Sequence, residues 1–137
     1  MPVPDDLRRA WRATQYRVRL PQGGHAAIRI GAPLPAALHP LLREDDEPWG
    51  YVTAWNPHGQ PRGRAINRAA QRALLDAASA LGARVRAGAG VGADGWREPS
   101  LFLLGLDFAT LDALATRFAQ AAIVRGRGTG RAELHEP

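Results

Sequence analysis

Apolar and polar positions change period several times along this chain, and each change marks an element. Leu7, Ala10 and Trp11 fall on one face of a short helix that Asp5 or Asp6 can cap. Tyr16, Val18 and Leu20 then alternate with Gln15, Arg17 and Arg19. A PQGGH turn at 21–25 follows, and Ile28 and Ile30 flank Arg29, which together read as a β-hairpin. Leu34, Leu38, Leu41 and Leu42 allow a short helix between 33 and 43, interrupted by Pro35 and Pro40, and REDDEP at 43–48 reads as a solvated connector.

The second half is more regular. Residues 50–55 make a strand with Tyr51, Thr53 and Trp55 on one face and Val52 and Ala54 on the other, stopped by Pro57. After the loop NPHGQPRGR, a helix is expected from about Ala65 to Leu81, with Ile66, Ala70, Ala73, Leu74, Ala77 and Leu81 as its apolar face and Gly82 as its carboxyl cap. Residues 84–89 form a strand with Val85, Ala87 and Ala89 inward. The almost uniformly apolar 101–106 should be a central strand covered on both faces. Asp107 can cap a helix carrying Phe108, Leu111, Leu114, Ala115 and Phe118, and Ala121 to Val124 supplies a last strand.

From about 50 to 125 the order is therefore strand, helix, strand, strand, helix, strand. This is the βαββαβ pattern of a ferredoxin-like split βαβ core, so the fold class expected is α+β. In that topology the third strand lies antiparallel between the first and second, which agrees with the apolar 101–106. The amino-terminal helix and hairpin extend the sheet or cover an edge; their sequence is compatible with both. The Gly- and Arg-rich segment 126–137 is expected to be a flexible tail or a weak edge strand.

Composition then sets limits. A chain of 137 residues fits one domain, with 14–125 as its core, and 45% hydrophobic with 23% charged residues is ordinary for a globular protein. The start, MPVPDDLRR, lacks the pattern of a signal peptide, and no run of about 18 apolar residues is present; a cytoplasmic bacterial protein without a membrane segment is the expectation. All 18 basic residues are Arg, so the pI near 11.1 overstates a net charge of only +5. GC-rich coding explains that Arg content as readily as a surface built for anions does. The absence of Lys excludes a phosphate-loop lysine and Schiff-base chemistry, and the absence of Cys excludes thiol nucleophiles and thiolate metal sites. The four His show no helix-face ligand spacing, so no metal and no cofactor is expected.

The expected topology brings several polar and aromatic residues to one edge of the sheet. Trp55, Asn56, His58, Arg64, Asn67, Arg68, Trp96, Glu98, Ser100 and Gln120 converge there, and the amino terminus of the long helix points at the same edge, where free N–H groups favour an anion. Gly90 to Gly95 matches GxGxxG after a strand, but Trp96-Arg97-Glu98-Pro99 follows where a dinucleotide site needs a helix, so a hairpin turn is expected. Arg64, Arg68 and Arg72 form a basic stripe, in which Arg72 can pair with Asp76.

YVTAWNPHG at 51–59, Asn67, GAGVGADGWREPS at 88–100 and FAQAAIV at 118–124 together resemble the bacterial family called domain of unknown function 3293, over about residues 14–125. The resemblance implies a small bacterial protein and supplies no activity and no catalytic residue. One departure is His58-Gly59-Gln60, where a small hydroxyl residue is expected nearby.

The function expected is a binding module for an anionic partner such as a nucleotide, RNA or phosphorylated metabolite, gripped by Arg64, Arg68, Asn67 and Asn56 with Trp55 or Trp96 as a stacking surface. The alternative is a small hydrolase or transferase in which Glu98 or His58 is the general base and Asn56, Asn67 and Gln120 position substrate. A protein-interaction partner, which needs no pocket, is a third reading.

Overall fold

The amide and carbonyl groups of seven strands are joined in one antiparallel sheet, seen in a computed structural model that describes residues 3–57 and 60–137. In chain order the elements are α1 (Asp5–Arg12), β1 (Gln15–Arg19), β2 (His25–Ile28), a 3-10 turn (Ala36–Leu41), β3 (Pro48–Val52), α2 (Arg64–Ala80), β4 (Arg84–Val91), β5 (Arg97–Leu104), α3 (Phe108–Arg117), β6 (Ile123–Arg127) and β7 (Glu133–His135). The strand order is β2-β1-β4-β5-β3-β6-β7, so the fold is α+β and the sheet is larger than the four strands expected between 50 and 125. β5 lies between β4 and β3, as its apolar sequence demands: Phe102, Leu103 and Leu104 are all buried.

The hairpin extends the sheet. Tyr16 pairs with Ile28 on one side and Gly90 on the other. The last residues do the same at the far edge, where Val124 pairs with Leu134, so the segment expected as a tail or weak edge strand is the edge strand β7. An ion pair of Arg125 with Glu133 (3.0 Å) and a hydrogen-bond contact of His135 Nε2 with Asp112 Oδ2 (3.1 Å) tie that strand to β6 and α3.

The two ends of the sheet meet. Ile30 bridges Ala132 and Pro33 bridges Arg131, linking the segment after β2 to the segment before β7 and curling the sheet into a half-barrel. Two cores result. On the inner face Val18, Ile28, Trp49, Tyr51, Phe102 and Val124 pack together, with Leu38 of the 3-10 turn closing one end. On the outer face Val52, Leu74, Leu101, Leu103, Leu111 and Ile123 pack under α2 and α3. Glycine makes the closest approaches possible. A Cβ at Gly126 would lie 2.5 Å from the Trp49 ring, and one at Gly50 would lie 2.6 Å from Leu111 of α3.

Several local expectations are corrected. The buried stripe of α2 is Asn67, Leu74 and Ala78, while Ile66 and Leu81 are exposed, because Asn67 takes the inward position that an apolar count assigns to its neighbour. On β4 only Val85 packs under the helices; Ala87 is exposed and Ala89 half-buried, because α2 does not reach that far along the strand. Within the acidic connector, Glu47 is buried and ion-paired with Arg84, which holds its carboxyl below the ordinary range. Asp5 and Asp6 do not cap α1, whose N-cap is Pro4, and no Arg72–Asp76 pair forms among the described residues. Asp107 caps α3 as expected, accepting from the Thr110 amide at 2.8 Å. No helix among the described residues is long and apolar enough to cross a membrane.

Candidate functional site: a cavity at the open end of the half-barrel

One end of the half-barrel is filled by the 3-10 turn; the other holds a cavity of about 570 Å3. That volume suits a small molecule, since ligand pockets commonly run from about 300 to 1,000 Å3. Pairing register explains why there is space. Cross-strand partners share a face, and the inner-face positions of β4 are Gly88 and Gly90, opposite Ser100 and Glu98 of β5. The alternating glycines of GAGVG thus remove side chains from the inner face where β4 lies between β1 and β5. Gly92 begins the β4–β5 turn, its amide donating to the Trp96 carbonyl at 2.7 Å, and Gly95 has φ 87°. The GxGxxG match is therefore a hairpin turn, as its sequel indicates.

The walls are largely apolar. Leu7, Ala10 and Trp11 of α1 cover the mouth, with Trp96 on the turn and Ala121 to Val124 on the far side. α1 buries none of its residues, so it lies over the opening rather than in a core. Two hydrogen bonds hold its end: the Tyr16 hydroxyl donates to the Trp11 carbonyl at 2.6 Å and Thr14 donates to the Ala10 carbonyl at 2.8 Å. At its outer side Arg8 pairs with Glu136 at 2.9 Å.

The polar groups sit on the cavity floor. Glu98 is only 8% exposed and lines the cavity, with no basic side chain beside its carboxylate and the Thr53 hydroxyl as its polar neighbour. Burial pushes its pKa up to about 7, opposed by the neighbouring Thr53 hydroxyl. The hydroxyls around it have given their protons away: Tyr51 to the Arg17 carbonyl (2.7 Å), Thr53 to the Pro99 carbonyl (2.7 Å) and Ser100 to the Glu98 carbonyl (3.2 Å). All three residues line the cavity. Burial also pushes the Tyr16 and Tyr51 phenols well above their ordinary range, so both stay neutral. Among the described lining residues the charged side chains are Asp94 and Glu98, both acidic.

Of the residues expected at one edge, the fold brings Asn56, Trp96, Glu98, Ser100 and Gln120 to this cavity. Trp55 is outside the lining, and its carbonyl accepts from Gln120 Nε2 at 3.3 Å. Asn67 is one step removed and nearly fully buried. Its Oδ1 accepts from the Asn56 amide at 3.0 Å, while its Nδ2 donates to Asn56 Oδ1 at 2.8 Å and to the Arg62 carbonyl at 3.1 Å. Asn56 thereby holds φ 45°, a left-handed conformation that Asn tolerates. Arg64 and Arg68 are not brought in: they stand exposed on α2, outside the cavity lining. His58 lies outside the described residues. Sequence reasoning missed Tyr16, Tyr51 and Trp11 as site residues, although the period-2 pattern that places the two tyrosines on the inner face was present.

Among the described residues no three His, Asp or Glu side chains gather as a metal site. No curated protein and no solved structure gives a significant match to this chain. A family model does match, over residues 52–123, which run from β3 to β6 and include Asn56, Asn67, Trp96, Glu98, Ser100 and Gln120. The chain belongs to the family described as Protein of unknown function (DUF3293).

Proposed function

We propose that the protein binds a small, largely apolar molecule carrying a protonated amine, with the amine placed against Glu98. The observation that carries this reading is a buried carboxylate with no basic side chain beside it, lining a cavity whose other walls are largely apolar. An isolated ionised carboxylate in such a place costs several kcal/mol, which a bound cation offsets. A ring of acceptors from Tyr51, Thr53 and Ser100 suits the remaining protons of an ammonium group. Trp11 and Trp96 offer faces for the apolar part or for cation–π contact. An anion in the same cavity would meet two carboxylates and no guanidinium, so the anionic reading loses support at this edge.

The hydrolase or transferase reading keeps one supporting observation. A carboxyl titrating near 7 is suited to general-base work. Against it, the nearby Tyr51, Thr53 and Ser100 hydroxyls each have a backbone carbonyl to donate to. Asn56 and Asn67 are likewise committed to each other. Binding is the better-supported function.

We further read residues 48–127 as a split βαβ unit of the ferredoxin-like kind. The order β4-β5-β3-β6, antiparallel throughout, supports this, with α2 and α3 on one face. A titration with 2-phenylethylamine, followed by the fluorescence of the four Trp residues, of which Trp11 and Trp96 line the cavity, tests the function. Saturable quenching that Glu98→Gln abolishes is expected; equal response in Glu98→Gln would refute the role of the carboxylate.

A further inference from the structure

Anion chemistry is present on this molecule, but on the opposite side of the sheet from the cavity. Side chains alternate along a strand, so with Tyr16 and Val18 turned into the half-barrel, Arg17 and Arg19 of β1 project from the outer face. Register sets His25 of β2 opposite Arg19. Beside them, Ala87 and Ala89 of β4 form a floor of small side chains, and Arg97 of β5 closes the far side. The helices leave this half of the outer face uncovered: α2 packs over Val85, Leu101 and Leu103, nearer the other end of β4. The result is a groove of about 330 Å3 lined by three guanidiniums and an imidazole.

No carboxylate lines the groove, and none forms an ion pair with Arg17, Arg19 or Arg97 among the described residues. This separates these arginines from Arg8, Arg84 and Arg125, each of which has an acidic partner. Three like charges collected on neighbouring strands repel one another, and a bound anion removes that repulsion. Guanidinium forks match phosphate oxygens in bidentate fashion, and the small floor lets a phosphate reach the sheet. No Phe, Tyr or Trp lines the groove, so its chemistry addresses phosphate more than a base.

We propose that the groove formed by Arg17, Arg19, His25 and Arg97 is a binding site for phosphate groups. A phosphorylated small molecule and the backbone of a nucleic acid share that chemistry, and the test separates them. Sodium tripolyphosphate and a fluorescein-labelled 20-nucleotide oligouridylate are titrated into the intact chain at several salt concentrations. Saturable binding of tripolyphosphate alone assigns a small phosphorylated ligand, and binding of the RNA alone assigns the phosphodiester backbone. With three arginine contacts, the logarithm of RNA affinity should fall with the logarithm of salt concentration with a slope of about −2. Arg17→Ser/Arg19→Ser/Arg97→Ser should lose at least tenfold, while Arg64→Ala/Arg68→Ala on α2 should bind as the parent does. Arg97→Glu serves as the second variant should the triple one fail to fold. Absence of binding by both probes at about 0.1 M salt, or full binding by folded variants of the groove, would overturn the assignment.

Discussion

Asn67 holds Asn56 by both its backbone and its side chain, accepting from the Asn56 amide at 3.0 Å and donating to Asn56 Oδ1 at 2.8 Å. The pair fixes the exit of β3, because Asn56 Oδ1 also accepts from the Arg62 amide at 3.1 Å and so spans the loop that leads to α2. One wall of the cavity mouth is thereby set by a residue of a helix that does not itself line the cavity. Asn67→Ala removes these bonds in a buried site and leaves the Asn56 amide without its partner. A loss of about 3 kcal/mol is expected in urea unfolding. Asn67→Asp should also destabilise, since a carboxylate cannot donate to Asn56 Oδ1 or the Arg62 carbonyl; stability equal to the parent in both variants would refute the clamp.

Glu98 makes stability depend on pH in a defined window. In the unfolded chain its carboxyl ionises near 4.5, whereas in the fold it stays protonated until about 7. Its pKa is raised, so its favourable contribution is full below 4.5 and is lost as pH rises through about 7. That gap corresponds to about 3 kcal/mol. Glu98→Gln should therefore be more stable than the parent at pH 8 by about 2 to 3 kcal/mol and close to it at pH 4. Glu47 acts in the opposite sense: its pKa is lowered by Arg84, so its contribution is present above its unfolded value and lost on acidification below it. Unfolding curves of the two proteins from pH 4 to 8 provide the check, and parallel curves would remove Glu98 from the account.

Gly88 has its own constraint. A Cβ there would collide with the Arg17 carbonyl oxygen and approach the Tyr51 hydroxyl to 2.8 Å, at the point where β1 and β4 curl together. The first contact is with backbone, which cannot swing aside. Gly88→Ala is expected to cost several kcal/mol or prevent folding, whereas Gly90→Ala, with only Thr14 Cγ2 nearby at 3.7 Å, should fold and narrow the cavity. Circular dichroism melts of both variants decide this.

α1 buries none of its residues, so the Tyr16–Trp11 bond is an important part of what holds it. Tyr16→Phe removes the hydroxyl that donates to the Trp11 carbonyl and should cost about 1 kcal/mol. Its larger effect should be local: faster hydrogen exchange across residues 7–13, with exchange in β5 slowed or hastened only by the global change. Unchanged exchange in α1 would show that this bond does not hold the helix over the cavity.

Much of this was legible in the sequence where a local period carries the information. The apolar run 101–106, the Asp107 cap and the Gly82 helix end are statements about neighbours in the chain; the structure has the cap and the helix end, and β5 holds the run as far as Leu104. The register of α2 was not legible, because its inward position is Asn67, whose partners Asn56 and Arg62 come from the preceding loop. A count of apolar residues instead selects Ile66, which is exposed. Convergence of Asn56, Trp96, Glu98, Ser100 and Gln120 followed from element order alone. The cavity did not, because it depends on the Ile30–Ala132 and Pro33–Arg131 bridges, which join segments about 100 residues apart and leave no local mark.

The central claim is that an ionised Glu98 receives a protonated amine, and the pH dependence of binding tests it most directly. Isothermal titration of 2-phenylethylamine at pH 5.5 and pH 8 compares a mostly protonated with a mostly ionised carboxyl, while the ligand remains charged at both. For a group titrating near 7, affinity should rise about thirtyfold between the two, and Glu98→Gln should show no such rise. Binding that is equal at the two pH values, or that strengthens toward acid, would contradict the account.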